Sequence, residues 1–350
     1  MKNNGLRASY WQKDDFMVLD QLLLPGKIVY IQCSTFRDVV SVIVDMNLRG
    51  APLIGAAASA GAALFFKECK DHDTVLFSRM VEELLSTRPT AVNLGNVLDE
   101  AKAIYKENIS LDSDHLFNMF RDFSINVHTR DVERNIAMGR NGAQFVADLL
   151  EGKKLNILTH CNAGALATCG YGTALGVIRS LHDMALVENV WVDETRPYLQ
   201  GARITAFELD ADSIPHKIIT DSTAAHLMSQ NLVDVVITGA DRVALNGDLA
   251  NKIGTYSLAV NARYHNIPFI SAMPVETFDM FIKSGKEIEI EKRSDRELLV
   301  FNGKRIAPEN SEGLHLGFDV VPAELTTALV TEKGVVSPVS TTSVMEMIYG

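Results

Sequence analysis

No Gly-x-Gly-x-x-Gly turn follows any strand pattern in this sequence, so a dinucleotide-binding reading has no direct support. Cysteine is scarce. The four present, Cys33, Cys69, Cys161 and Cys169, have no paired metal-type spacing and are too few for a disulfide scaffold. A concentrated basic patch is also missing: the formal charge is −11, and the stretch from Lys283 to Lys304 is mixed in sign. Such a surface repels a phosphate backbone, which argues against nucleic-acid partners. The first fifteen residues lack the apolar centre of a signal peptide. Gly50 to Phe66 carries no charge, but it falls short of a bilayer's thickness, is mostly Ala and Gly, and has Pro52 near its start. It reads as a tightly packed helix in a soluble core. A cytoplasmic protein without a membrane segment is expected.

What is present is an ordinary globular composition, 47% hydrophobic and 22% charged over 350 residues, a length that suits two domains. Residues 1–150 read as helix-rich with a few strands. They include a strand at Lys27–Gln32, a helix capped by Ser34, an amphipathic helix over Thr74–Leu85, and long helical patterns from Asp112 to Leu150. A boundary is placed at Glu151-Gly152-Lys153-Lys154. From there to residue 350, strand and helix patterns alternate, which predicts right-handed βαβ units around a parallel sheet covered on both faces.

The strand ends carry the polar residues. Val233-Asp-Val-Val-Ile-Thr reads as a buried parallel strand, with Asp241 just past its end and Asn251, Lys252 and Gly254 opening a helical pattern. A carboxylate, an ammonium and a Gly-containing helix start this close together suit a phosphorylated substrate, or simply an Asn-Gly loop with solvated charges. Cys161 follows the strand Leu155–His160, where the amides of a following helix could favour its thiolate. The plain alternative is a buried cysteine acting as a small hydrophobe, and His160, pointing the other way, reads as a satisfied core histidine. Asp193-Glu194-Thr195-Arg196 after the next strand suits either an acid/base pair or an ion-paired loop. Gln200 is a candidate hydroxyl-binding amide, and Asp221 reads as a helix cap. Arg49 and Arg88 each stand beside a helix start, an arrangement that can hold a phosphate or simply serve packing. Four strand ends aiming polar residues at one rim outweigh any single motif.

Five segments, in order, resemble the methylthioribose-1-phosphate isomerase family. They are Arg49-Gly50-Ala51-Pro52, Arg88 to Leu94, Thr159-His160-Cys161-Asn162-Ala163-Gly164, Asp193 to Arg203, and Gly239-Ala240-Asp241-Arg242 through Tyr256. The likeness spans about residues 15 to 335. It implies an α/β fold, with a small N-terminal helix-rich domain followed by a Rossmann-like parallel-sheet domain. The same fold serves ribose-1,5-bisphosphate isomerase and the regulatory subunits of the translation guanine-nucleotide exchange factor.

The resemblance further implies a homodimer that isomerises a sugar 1-phosphate in methionine salvage, without cofactor or metal. Asp241 would be the proton donor and Cys161 the second catalytic group, as base or as oxyanion stabiliser. Arg49, Gly50, Ala51, Arg88, Gln200, Asn251 and Lys252 would bind substrate. Gly95-Asn96, Met273 to Thr277 and Glu289 to Arg293 depart from the family pattern. They leave the 5-substituent open between methylthio and the hydrogen of 5-deoxyribose 1-phosphate. A non-catalytic, nucleotide-sensing regulatory module is the reading from another class, and a nicotinamide-dependent oxidoreductase a distant third.

Overall fold

The computed structural model describes residues 6–88 and 92–350. Pro89, Thr90 and Ala91 of the second resembling segment lie outside the described residues. An antiparallel sheet of β1 (Ser9–Gln12), β2 (Asp15–Leu19) and β3 (Tyr30–Cys33) opens the chain. Helices α1 (Phe36–Val44), α2 (Ala51–Glu68), α3 (Thr74–Thr87), α4 (Val92–Asn108) and α5 (Ser113–Leu149) follow. Thr35, not Ser34, caps α1, through a reciprocal box with Asp38. Every residue of α2 from Leu53 to Phe66 is buried, which accounts for the uncharged Ala-rich run. No described helix is long and apolar enough to cross a membrane.

After α5 the alternation holds through β4 (Leu155–Thr159), α6 (Ala174–Asp183), β5 (Val187–Asp193) and a π-helical turn, Gly201–Thr205, leading into α7 (Ala206–Ala211). It continues with β6 (His216–Ile219), α8 (Thr223–Ser229), β7 (Val235–Thr238), β8 (Arg242–Ala244), β9 (Leu249–Lys252), α9 (Thr255–Tyr264) and β10 (Phe269–Ala272). The main sheet runs β6, β5, β4, β7, β10, Ala328–Thr331, Gly334–Val336, parallel except at its last edge.

Side-chain alternation explains why these strands read as unbroken apolar runs. Ile157, Val235, Ile237 and Ile270 pack on the α5 and α6 face with Met138, Val146 and Ile178. Leu158, Val236 and Phe269 pack on the opposite face with Leu227 of α8 and Leu258 of α9. A strand covered on both sides needs apolar residues at both parities.

One expectation fails here. Asn251 and Lys252 do not begin a helix: they end β9, an antiparallel hairpin partner of β8, and the helix starts at Thr255. Asn246-Gly247 is the hairpin turn, and the backbone pairing of the hairpin overrides the helical look of the sequence.

Candidate active site

In the main sheet β4 and β7 are neighbours, yet the chain leaves them to opposite sides, β4 toward β5 and β7 toward β10. This is a topological switch point, where loops diverge at the carboxyl edge and open a crevice. Cys161 stands two residues past β4 and Asp241 three past β7. Both line a cavity of about 80 Å³, closed on the N-terminal side by Met46, Arg49, Gly50, Ala51 and Arg88. Gln200, Asn251, Lys252, Pro274 and Phe318 complete the wall. All nine residues expected at the site therefore meet in one place.

Local structure explains their positions. Gly50, at φ 110°, precedes α2 without a side-chain cap. A Cβ there would lie 2.2 Å from the Ala167 carbonyl oxygen, so only glycine lets the helix start approach the loop after β4. Arg49 is buried and points its fork at Asn162, with Nη1 donating to the backbone carbonyl at 2.9 Å and Nη2 to the side-chain oxygen. Its Nε and the Oε1 of Gln200 are buried without hydrogen-bond partners, polar valences open to a ligand. Lys252 donates to the Gly317 carbonyl at 3.0 Å and lies 4.3 Å over the Phe318 ring. Asn251 donates to Thr255 Oγ1.

Burial dominates the electrostatics. It pushes the Asp241 carboxyl above the usual carboxylate range, against the pull of Lys252, Arg88 and Arg49. It pushes the Cys161 thiol up, opposed by Arg49 and Lys252, and holds the Lys252 ammonium below its usual value. The expectation of a helix-favoured thiolate at Cys161 is thus corrected: α6 begins only at Ala174, and desolvation outweighs the neighbouring cations. The resting pair is a thiol and a carboxyl that readily holds a proton, flanked by three cationic side chains.

Two other local readings change. The Gly254 and Tyr256 amides at the start of α9 donate to Asp319 Oδ2 and Oδ1 at 2.7 and 3.0 Å, so that helix end is already capped. Asp221 does not cap α8. It accepts the Thr195 and Arg196 amides, both at 2.7 Å, and holds the loop after β5. His160 is the satisfied core histidine expected, with Nδ1 2.9 Å from Asp193 Oδ2 and Nε2 2.9 Å from the Ile253 carbonyl. That pairing also resolves the loop after β5: Asp193 is an ion-pair partner, not an exposed acid. His160, Asp193 and Asp221 are the described group whose geometry could hold a metal, but their existing bonds leave chiefly Asp193 Oδ1 unengaged.

Glu208 was not legible from the sequence. Buried on α7, it accepts from Asn162 Nδ2, the Ala165 and Leu166 amides and Arg179, at 2.7–3.1 Å. It therefore moulds the loop carrying Asn162 against Arg49. No local motif marks a glutamate in mid-helix for that role. Arg179, which it pairs with, borders a larger open hollow of about 660 Å³ against α5, but is engaged by Glu208, Asp212 and the Tyr171 carbonyl.

The model of the Initiation factor 2 subunit family matches residues 47–338. Methylthioribose-1-phosphate isomerase from Caldicellulosiruptor saccharolyticus is 49% identical over 330 residues, 94% of this chain and 95% of that one. The chain belongs to this family, in its methylthioribose-1-phosphate isomerase branch. The crystal structure of 5-methylthioribose 1-phosphate isomerase from Pyrococcus horikoshii OT3 superposes with a TM-score of 0.90 at 40% identity, over 99% of this chain and 97% of that one. A second branch of the family shares the architecture. The translation initiation factor eIF-2B subunit delta from A. fulgidus matches with a TM-score of 0.83 at 36% identity, over 98% and 100% of the two chains.

Proposed function

We propose that this protein converts 5-methylthioribose 1-phosphate to 5-methylthioribulose 1-phosphate, the aldose–ketose step of methionine salvage. The observation that carries the chemistry is the meeting of Asp241 and Cys161 in one desolvated cavity beside Arg49, Arg88 and Lys252. A phosphate on the anomeric oxygen prevents spontaneous ring opening, so a proton must be supplied to the ring oxygen. A buried carboxyl with a raised affinity for its proton suits that donation. The hydrogen on C2 then passes to C1. Cys161 is proposed to assist this step, either taking the C2 proton in its minor thiolate form, favoured by Arg49 and Lys252, or, as the resting thiol, donating to the developing oxyanion. Arg49, Arg88, Lys252 and the amides around Gly50 and Ala51 would hold the phosphate, with Gln200 and Asn251 on the sugar hydroxyls. Phosphate held equally in ground and transition states supplies binding, not acceleration.

We assign the 5-substituent to a neighbouring hollow. A smaller hollow of about 50 Å³ adjoins Asp241 and Arg88 and is lined by Ile54, Ala250, Ile288, Ile290 and Phe318. Its aliphatic part, Ile54, Ile288 and Ile290, would favour a methylthio group over hydrogen, by on the order of 1–3 kcal/mol for a group of that size, while Arg242 and Glu289 make the rest of its wall polar. The reaction would take place in the cytoplasm, in a homodimer without cofactor, and light scattering on the purified protein reads the dimer directly.

The test is proton NMR in heavy water with each 1-phosphate sugar, with Asp241→Asn and Cys161→Ser alongside. Ketose from the methylthio sugar, lost in both variants, supports the proposal. A clear preference for 5-deoxyribose 1-phosphate would move the assignment to that sugar. No ketose from either would leave the family's regulatory role.

A further inference from the structure

Cys161 sits in the left-handed backbone region, at φ 57°, a conformation disfavoured for any residue with a Cβ. Something must hold it there. Its amide donates to Thr195 Oγ1 at 2.8 Å, and Thr205 Oγ1 donates to its carbonyl at 2.5 Å. Thr195 Oγ1 in turn donates to the Asp193 carbonyl at 3.1 Å. The Asp193 side chain meets His160 Nδ1, and His160 Nε2 meets the carbonyl of Ile253, the residue after Lys252. A closed circuit therefore runs from Cys161 through β5 and back through a buried imidazole to the end of β9.

The ring at its centre has little freedom. His160 and Asp193 are both almost fully buried. Gly254, at φ 108°, packs on the ring so closely that a Cβ would come within 2.9 Å of Cε1. A backbone carbonyl only accepts, so Nε2 carries a proton; Nδ1 faces a carboxylate, so the proton there is shared with Asp193. The ring donates on both sides and the pair is neutral overall, which makes its burial tolerable. Besides Asp193 on β5, the charged groups around it are Asp221 after β6 and Asp319 against the start of α9. Burial alone would strip the ring's second proton, but the Asp193 hydrogen bond and charge outweigh it and raise its affinity for that proton. Burial raises the proton affinity of the Asp193 carboxyl too, so the proton between them is shared, and the geometry of two acceptors facing the ring places it on Nδ1.

We propose that the His160–Asp193 pair is a positioning element: donating from both ring nitrogens, His160 sets the spacing between Cys161 and Lys252, while Thr195 and Thr205 pin the Cys161 backbone. This rests on the isomerase reading. The pair does not touch the reacting carbons. It joins the strand end bearing the thiol to the strand end bearing the ammonium, which no covalent segment shorter than ninety residues does.

The experiment compares His160→Gln, Asp193→Asn and Thr195→Val with wild type, reading kcat and KM separately. It also reads the 15N signals of the His160 ring in the wild-type protein between pH 6 and 9. His160→Gln and Asp193→Asn are expected to lower kcat ten- to a hundredfold and raise KM, because both Cys161 and Lys252 move. Thr195→Val releases only Cys161 and is expected to lower kcat at nearly unchanged KM. Both ring nitrogens should report protonated across the pH range. Wild-type kcat and KM in folded His160→Gln, or one unprotonated ring nitrogen at pH 7, would overturn the proposal while leaving the isomerase reading intact. A wild type inactive on both sugars would overturn both. Should the two pair variants not fold, the Thr195→Val kinetics and the wild-type ring signals still decide.

Discussion

The amide of Asp241 donates to the carbonyl of Ala250 at 2.9 Å. That bond closes the β8–β9 hairpin directly at the cavity, so the chain that leaves the central strand with an acid returns with Asn251 and Lys252 beside it. Twelve residues of sequence, Asp241 to Lys252, thus bring a carboxyl and an ammonium to the same cavity. The hairpin, rather than a helix start, is what makes the spacing work.

Asp241→Asn should separate activity from stability. Removing the proposed general acid is expected to lower turnover by about 10²–10⁴-fold. Folding should not suffer. Because burial raises the folded-state affinity of this carboxyl for its proton, the native state binds more protons than the unfolded chain. Its contribution therefore falls as pH rises from the unfolded value through the folded one. Asn mimics the protonated form, so urea denaturation at pH 8 should show the variant at least as stable as wild type.

The same shift sets a pH profile. As proton donor, Asp241 works while protonated, so kcat/KM should decline as pH rises through its raised folded-state value, with the limb abolished in Asp241→Asn. A profile flat on that side would argue against Asp241 as the acid.

Cys161 should behave as a shielded thiol. Its raised proton affinity keeps the thiolate scarce at neutral pH, so alkylation by iodoacetamide should be slow and should accelerate as pH rises. Bound sugar phosphate should slow it further. Fast labelling at pH 7 would contradict the desolvated geometry.

Glu208→Ala should be the costly structural change. It removes one of the two carboxylates on Arg179, which keeps Asp212, and frees two backbone amides and Asn162; each buried polar group left unsatisfied costs about 1–3 kcal/mol. The loss should appear in denaturant midpoints and, through Asn162 and Arg49, in KM.

Arg49→Lys keeps the charge but gives up the two-pronged hold on Asn162. KM is expected to rise, by roughly tenfold if about 1.4 kcal/mol of transition-state and ground-state binding is lost equally. An effect confined to kcat would instead assign Arg49 a part in the chemical step.

Much of this was legible in the sequence, for identifiable reasons. The parallel sheet announced itself through β-branched runs such as Val235–Thr238, because a strand buried on both faces leaves no room for polar alternation. The Ala-rich helix α2 and the arginine-bearing segments before α2 and α4 carry their signals within a few residues. Asp241 and Cys161 stood out because strand ends at a carboxyl edge are where a parallel sheet exposes polar groups.

What tertiary structure alone decided is every contact whose partners lie far apart in the chain. Asn251 and Lys252 read as helix, but β9 pairs with β8 at Leu249 and Ala250 and these two residues pair with Asp319 and Phe318, which makes them strand. Asp319, 65 residues from Gly254, takes the helix amides that local reading offered to a phosphate. Glu208 reaches Asn162 across 46 positions, and His160 meets Asp193 and Ile253 across 33 and 93. The protonation of Asp241 and Cys161 belongs to this second class too, since desolvation depends on how much of the fold closes around a group. Periodicity and turn chemistry are local and survive in the sequence; burial and long-range hydrogen bonds exist only once the chain has folded.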